Sequence, residues 1–369
     1  MAKSKVIESV VNNESGLLPR TARRVTLAHV AKLAGVSRTT VSETLNNRPN
    51  CWASEKTRKR IRQAAKKLGY RPNLAARALR SGKTHVIGLV SPGFGMGSSH
   101  SRAVGLTEAA AKSDYTVTLS SHSNDSESED IVIRRLLDRG VDGLAVYPVD
   151  PGPHNELRRL AQSGFPVVTF QGANLLDFEC DDVSVDVEEV GKLQAKHLLN
   201  LGRRRVCLAN TIPEARITVI REDAIRQEFE RAGAPPPISM RLQGAVDREL
   251  LDAEALEAPM RAFLKEHHGV IDAIIAGDPQ GSLAIRILHE LDLRVPEDVA
   301  VIGGGDSLLS TYGEVPMTSV NAADDEAGTI AFGLLMNRIS GETNNQFQRV
   351  INPEKLIVRK STLLQEKEI

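Results

Sequence analysis

Residues 26–47 read Thr-Leu-Ala-His-Val-Ala-Lys-Leu-Ala-Gly-Val-Ser-Arg-Thr-Thr-Val-Ser-Glu-Thr-Leu-Asn-Asn, and no other stretch constrains the chain as strongly. Leu27, Val30, Ala31 and Ala34 recur at helical spacing, Gly35 interrupts the run, and Ser37 is a residue type that caps a following helix. The pattern predicts a second helix that buries Val36, Thr40, Val41 and Leu45 and turns Arg38, Thr39, Ser42 and Glu43 outward. Two short helices joined at a glycine form a helix-turn-helix. Its outer face carries donors and acceptors of the kind that read base edges and phosphates in a major groove. Thr26, Ser37, Thr40 and Asn46 complete the set that such a motif would bring to DNA.

A third helix is expected after the capping residue Ser54, with Ile61, Ala64, Ala65 and Leu68 on one face and a basic run from Lys56 to Lys67. Residues 21–85 hold 16 Lys and Arg against Glu43 and Glu55, a net of +14, whereas residues 86–369 hold 28 against 43 acids, a net of −15. The overall charge of zero therefore hides a division into a basic module and an acidic body. That division is the footprint of phosphate contact by one domain only. Trp52, the single tryptophan, lies in the loop ahead of the third helix.

Tyr70-Arg-Pro-Asn-Leu-Ala-Ala-Arg-Ala-Leu-Arg-Ser-Gly82 and the strand-like Gly82-Lys-Thr-His-Val-Ile-Gly-Leu-Val90 follow directly. Taken with the helix-turn-helix, these blocks resemble the lactose/galactose-repressor (LacI/GalR) family of bacterial transcriptional regulators, and the likeness extends more loosely over the rest of the chain. The resemblance implies a hinge helix that forms on the operator, capped by Asn73, with Ala76 facing the minor-groove floor. Leu79 takes the position of the leucine that wedges into a central base step. An apolar wedge costs about a few kcal/mol of unstacking, which contacts on the bent duplex offset.

No apolar run approaches the ~18 residues needed to span a bilayer, and residues 1–20 lack the continuous apolar core of a signal peptide. Cys51, Cys180 and Cys207 are odd in number and far apart, which points to free thiols in a reducing cytoplasm. No metal-ligand pattern occurs, and no cofactor is expected. Gly93-Phe-Gly-Met-Gly97 resembles a dinucleotide fingerprint, but Ser98 takes the third glycine's place and the next strand ends in Ser120-Ser121-His122 without a ribose-binding acid.

From residue 86 the pattern alternates between strand and helix. Val86–Val90, Thr116–Leu119, Gly143–Tyr147, Val167–Phe170, Val206–Ala209, Ile274–Ala276 and Val299–Ile302 read as buried parallel strands, and the acidic stretch Cys180–Asp186 as a crossover between lobes. The expected fold is an N-terminal all-α helix-turn-helix domain followed by an α/β body of two Rossmann-like lobes, which the resemblance likens to a periplasmic sugar-binding protein. The expected boundaries are a tail at 1–24, a DNA-binding domain at 25–71, a hinge at 72–84 and an effector-binding and dimerisation domain at 85–369. Within the last, lobe 1 takes 86–186 and 322–341, and lobe 2 takes 187–321 and 342–369.

Ligands of such sheets sit beyond the strands' carboxyl ends. Arg221, in Val-Ile-Arg-Glu-Asp-Ala224, matches the family's cleft arginine. Asp278 matches the acid of the family's asparagine-aspartate pair, although Gly277 replaces the asparagine. Asp306 stands in Ile302-Gly-Gly-Gly-Asp-Ser307, where the family commonly has Gly-Tyr-Asp-Asp, and Asn321-Ala322 replaces a basic-glutamine pair. Phe94, Phe170 and Gln171 complete the candidate effector site as an apolar wall and an amide. The expected protein is a repressor that binds a pseudo-palindromic double-stranded operator as a homodimer under control of a small effector: a sugar first, with sugar phosphate, polyol or nucleoside as alternatives. The competing reading is a cytosolic sugar- or nucleoside-binding protein or an enzyme with an appended helical domain.

Overall fold

The computed structural model describes residues 25–46, 51–70, 78, 82–93, 98–122, 125–150, 152–211, 215–242, 253–342 and 346–363. Contacts divide the chain into two units, which meet at Gly82 and Lys83.

The first unit contains α1 (Leu27–Ala34), α2 (Arg38–Leu45) and α3 (Glu55–Lys67). Its core is Val30, Ala31, Ala34, Val41, Ile61, Ala64 and Ala65, flanked by Val36, Leu45 and Leu68. Gly35 ends α1 in the left-handed region at φ 62°, where a Cβ would be strained, and this turns the chain into α2. Ser37 caps α2 by accepting from the Thr40 N–H at 3.1 Å, and Ser54 caps α3 by accepting from the Thr57 N–H at 3.3 Å. One expectation needs correcting: Thr44, not Thr40, lies on the buried face of α2. The helical period from Val41 carries Thr44 inward. Thr40 is left at the cap, its hydroxyl 2.9 Å from that of Ser37.

The second unit holds two six-stranded sheets. The first is built from β1 (Val86–Ser91), β2 (Thr116–Ser121), β3 (Gly143–Val146), β4 (Val167–Phe170), β5 (Asp181–Val185) and β11 (Arg349–Asn352), in the order β11-β5-β4-β3-β1-β2. The second is built from β6 (Val206–Asn210), β7 (Ile238–Arg241), β8 (Ala273–Ala276), β9 (Ala300–Gly304), β10 (Thr318–Asn321) and β12 (Lys355–Ile357), in the order β12-β10-β9-β8-β6-β7. Among the described residues only β12, beside β10, runs antiparallel. In chain order the helices of the first lobe are α4 (Ser98–Lys112), α5 (Ser126–Asp138), α6 (Asn155–Ser163) and α7 (Gly172–Leu175). Those of the second are α8 (Val187–Asn200), α9 (Arg216–Arg231), α10 (Ala253–Glu266), α11 (Asp278–Glu290) and α12 (Leu308–Tyr312). Finally α13 (Asp324–Ser340) returns to pack on α4 and the first sheet.

The chain therefore crosses between lobes after β5, after β10 and after β11. The three crossings are tied to one another. Asp186 donates its N–H to Glu354 at 2.6 Å, and the Asn352 amide donates to the Ala323 carbonyl at 2.8 Å. Two sequence expectations change here. The acidic stretch before Asp186 is not the crossover but strand β5, in which Asp181 and Asp182 are both buried. Buried carboxylates persist only with donors, and these have them. Arg338 forks onto Asp181 at 2.6 and 2.9 Å, while Asp182 accepts from the Gly172 N–H at 2.6 Å and the Thr169 hydroxyl at 2.8 Å. The second change concerns residues 346–352, part of the stretch expected in lobe 2, because β11 pairs with β5 in the first sheet.

Candidate nucleic-acid interface and effector cleft

On α2, Arg38 and Thr39 are exposed while Ser42 and Glu43 are half-buried. Val41 and Thr44 face inward and fix which side of the helix is presented. Among the described residues no ion pair takes up either Arg38 or Glu43, so both charges keep their hydrogen-bonding capacity. Asn46 ends the helix, its amide donating to the Ser42 carbonyl at 2.6 Å. Thr26 stands exposed at the start of α1, its N–H donating to Nδ1 of His29 at 3.1 Å. The outer side of α3 carries Lys56, Lys59, Arg60, Arg62, Lys66 and Lys67, all exposed. Asn73, Ala76 and Leu79 of the expected hinge lie outside the described residues, as does Phe94.

Trp52 is 98% exposed, although the loop carrying it is well anchored. Arg58 donates to the carbonyls of Cys51 and Ala53, both at 2.9 Å, and the Thr44 hydroxyl lies 3.4 Å from the buried Cys51 sulfur. Its own fold thus holds the indole out in solvent. Its emission is expected to change when operator DNA is added, because the α2–α3 loop would stand beside the phosphates in a docked helix-turn-helix. An unchanged spectrum at saturating operator would place this loop away from DNA.

At the carboxyl ends of the strands, Asn210 closes β6 and accepts a hydrogen bond on its Oδ1 from Arg221 Nη2 at 2.7 Å. Its amide donates to Glu222, which also pairs with Arg226 at 3.2 Å. Burial lowers the Arg221 guanidinium below its ordinary range, opposed by the neighbouring Glu222 carboxylate. Helix α9, which carries Arg221, lies so close to α8 that a Cβ added at Gly191 would fall 2.6 Å from the Arg221 carbonyl oxygen. Gly191 thereby sets the height of the arginine above the sheet.

The other candidates fall into different roles. Phe170 is fully buried rather than a cleft wall. Its ring packs against Tyr147 with centroids 4.9 Å apart, and Arg102 lies over both rings at 5.2 and 5.4 Å. The amide oxygen of Gln171 accepts from the Val185 N–H at 3.3 Å, tying the end of β4 to that of β5. Asp278 is 1% exposed, and its carboxylate accepts from the Ser307 N–H at 2.6 Å and the Ser319 hydroxyl at 2.7 Å. Asp306 accepts from Arg359 at 2.7 Å and from the Asn321 amide at 2.8 Å. Asn321 in turn accepts from the Ala323 N–H at 2.7 Å, which links Asp306 to the second lobe crossing. Both aspartates thus hold the loops of the second lobe in place, through partners too distant in sequence to read from spacing. Sequence reasoning missed Asn210 and the buried Arg102–Asp324 pair, at 2.7 Å. The strand-end position of Asn210 was a usable signal, whereas Arg102 offered none.

A helix-turn-helix unit joined to a two-lobed parallel-sheet body defines a DNA-binding transcriptional regulator with a periplasmic-binding-protein-like body. Residues 26–73 match the bacterial regulatory proteins of the lacI family, and residues 195–362 match the periplasmic binding protein-like domain. The HTH-type transcriptional regulator CelR of Thermobifida fusca is 31% identical over 350 residues, 92% of this chain and 98% of the relative. A solved CelR–cellobiose complex aligns with TM-score 0.65 at 27% identity, covering 92% of this chain and 100% of that one. The lac repressor dimer bound to operator and an anti-inducer shares the fold with TM-score 0.78 at 24% identity, covering 93% of this chain and 100% of that one. This chain belongs to the lacI family of bacterial regulatory proteins. It is a transcriptional regulator, and no described helix is long and apolar enough to cross a membrane.

Proposed function

We propose that the protein is a repressor that binds a pseudo-palindromic operator as a homodimer and changes its operator affinity when a saccharide enters the cleft between the lobes. The observation that carries the reading is the presence in one chain of α2, with Arg38 and Glu43 unpaired among the described residues, and a cleft arginine that keeps donors to spare. Two recognition helices reach two half-sites only in a symmetric pair. Leu79 would supply the hinge wedge. Arg221 is the effector-binding side chain, while Phe170, Gln171, Asp278 and Asp306 shape the cleft from behind. A ligand that binds one lobe angle better than another shifts the population toward it and so changes operator affinity.

Selection of binding sites from a random duplex pool tests the operator half of this reading. Arginine suits guanine O6 and N7, and a glutamate accepts from cytosine N4 while repelling phosphate. Arg38→Ala is expected to cost about 1–3 kcal/mol and relax one base pair, and Glu43→Gln to shift preference at another, inner pair. Neutralising a phosphate-facing lysine on α3 should instead weaken all sequences alike and lower the salt slope by about one. Recovery of one identical motif from wild type and both α2 variants would remove the base-reading role of these residues.

A further inference from the structure

The pairing of charges at the strand ends bears on which class of saccharide fits, an inference that rests on the cleft being the effector site. Each acid there already has its partners: Asp278 has Ser307 and Ser319, Asp306 has Arg359 and Asn321, Asp324 has Arg102, and Glu222 has Asn210 and Arg226. Gly277, Gly304 and Gly305 stand at the ends of β8 and β9 and offer no side-chain acceptor. Packing does not demand the small residue at 304, since an added Cβ would meet nothing nearer than 3.5 Å, whereas Gly305, at φ 117°, holds a backbone conformation that a side chain would strain. The described floor of the second lobe is therefore poor in the free carboxylates that bind neutral sugar hydroxyls, its unpartnered polar atoms being the Gln194 amide oxygen and the Ser307 hydroxyl.

The cations give the opposite picture. Arg102, Arg226 and Arg359 are each neutralised by a carboxylate at 2.7–3.2 Å. Arg221 lies against Glu222, but that carboxylate is already shared by Asn210 and Arg226, and the hydrogen bond of Arg221 goes to a neutral amide oxygen. Among the described residues the rest of its five donors have no partner. A partly desolvated guanidinium with unspent donors is best completed by an oxyanion, whose two oxygens match its planar fork.

We infer that the cleft takes an acidic saccharide, a polyhydroxylated compound bearing a carboxylate or a phosphate, with the anionic group held by Arg221. Carboxylate and phosphate present the same paired oxygens to the fork, so ligand arms must separate them.

The test is calorimetric titration and thermal shift of the full chain with glucuronate, gluconate, glucose 6-phosphate, glucose and cellobiose, each at two ionic strengths. An acidic sugar is expected to bind and raise the melting temperature, more weakly at the higher salt, and the carboxylate and phosphate arms identify the anion. Arg221→Met should lower that affinity at least about tenfold, and Arg221→Lys should recover part of it, since a point charge lacks the fork. Circular dichroism of both variants checks the fold. Glucose or cellobiose binding as well as the acids, or unchanged acid affinity in Arg221→Met, overturns the inference. If the neutral sugars bind in an Arg221-dependent way, the saccharide reading of the cleft survives that failure. If none of the five saccharides binds, both fall.

Discussion

Ile61→Ala is expected to unfold the helix-turn-helix unit and with it abolish operator binding, while the two-lobed body stays folded. Ile61 is fully buried and, among the described residues, sits in a small apolar cluster with Val30, Ala31, Ala34, Val41, Ala64 and Ala65, where α3 meets α1 and α2. Truncating a buried isoleucine costs about 2–5 kcal/mol, the lost transfer energy plus the cavity left behind. A domain of this size buries little core and has a margin of only a few kcal/mol. The loss therefore consumes most or all of it. Once the core opens, α2 no longer holds Arg38 and Glu43 on one face, whatever their own chemistry. Gel-shift titration beside a thermal scan checks this, because the body's transition should remain while operator binding disappears. Ile61→Val, expected to cost about 0.5–1.5 kcal/mol, should weaken binding far less. Operator affinity within about twofold of wild type in Ile61→Ala would show that the unit's stability has a much larger reserve than its core implies.

The second large effect is expected at Arg102→Met. Arg102 and Asp324 are 2% and 6% exposed, and Nε and Nη2 of the arginine both reach Oδ1 at 2.7 Å. Removing one partner of a buried pair leaves the other as an uncompensated charge, which costs about 3–5 kcal/mol. Asp324 gains only partial relief from its place in the first turn of α13. The guanidinium also covers the Tyr147 and Phe170 rings, so packing is lost as well. Urea unfolding of the body should register the full cost in Arg102→Met. The double variant Arg102→Met with Asp324→Asn should be less destabilised than the sum of the two single changes, because the stranded charge is gone. Strict additivity would falsify the view that this pair, rather than the bulk of either side chain, stabilises the return of the chain to the first lobe.

Local chemistry made most of the fold legible. The helix-turn-helix could be read residue by residue because its signals are short-range: a 3.6-residue apolar period, a glycine at the turn, and serine caps at residues 37 and 54. The parallel sheets were legible for a similar reason, since strands buried on both faces are continuous apolar runs, as in β3, β4 and β8. Strands outside that pattern were not. β5 contains two aspartates, and β11 is short, half-exposed and separated from its partner β5 by more than 160 residues of chain. Arg338 and Thr169 make Asp181 and Asp182 acceptable inside the sheet, and no pattern within residues 180–186 could announce them.

The site divides along the same line. The sequence by itself determined that the first unit is a helix-turn-helix with Arg38 and Thr39 outward, that the basic charge is confined to it, and that an arginine at 221 follows a strand end. Only the tertiary structure decided what each strand-end side chain is free to do. Asp278 and Asp306 carry the residue type expected of ligand contacts, yet Ser307, Ser319, Arg359 and Asn321 have already taken their oxygens. Arg221 differs because its partner, Asn210, is neutral. Helix periods and caps arise between residues three or four apart, so they are written in the sequence where they act. Whether a carboxylate or guanidinium is spent depends on donors and acceptors that the fold brings from tens to hundreds of residues away, and only the folded chain specifies them.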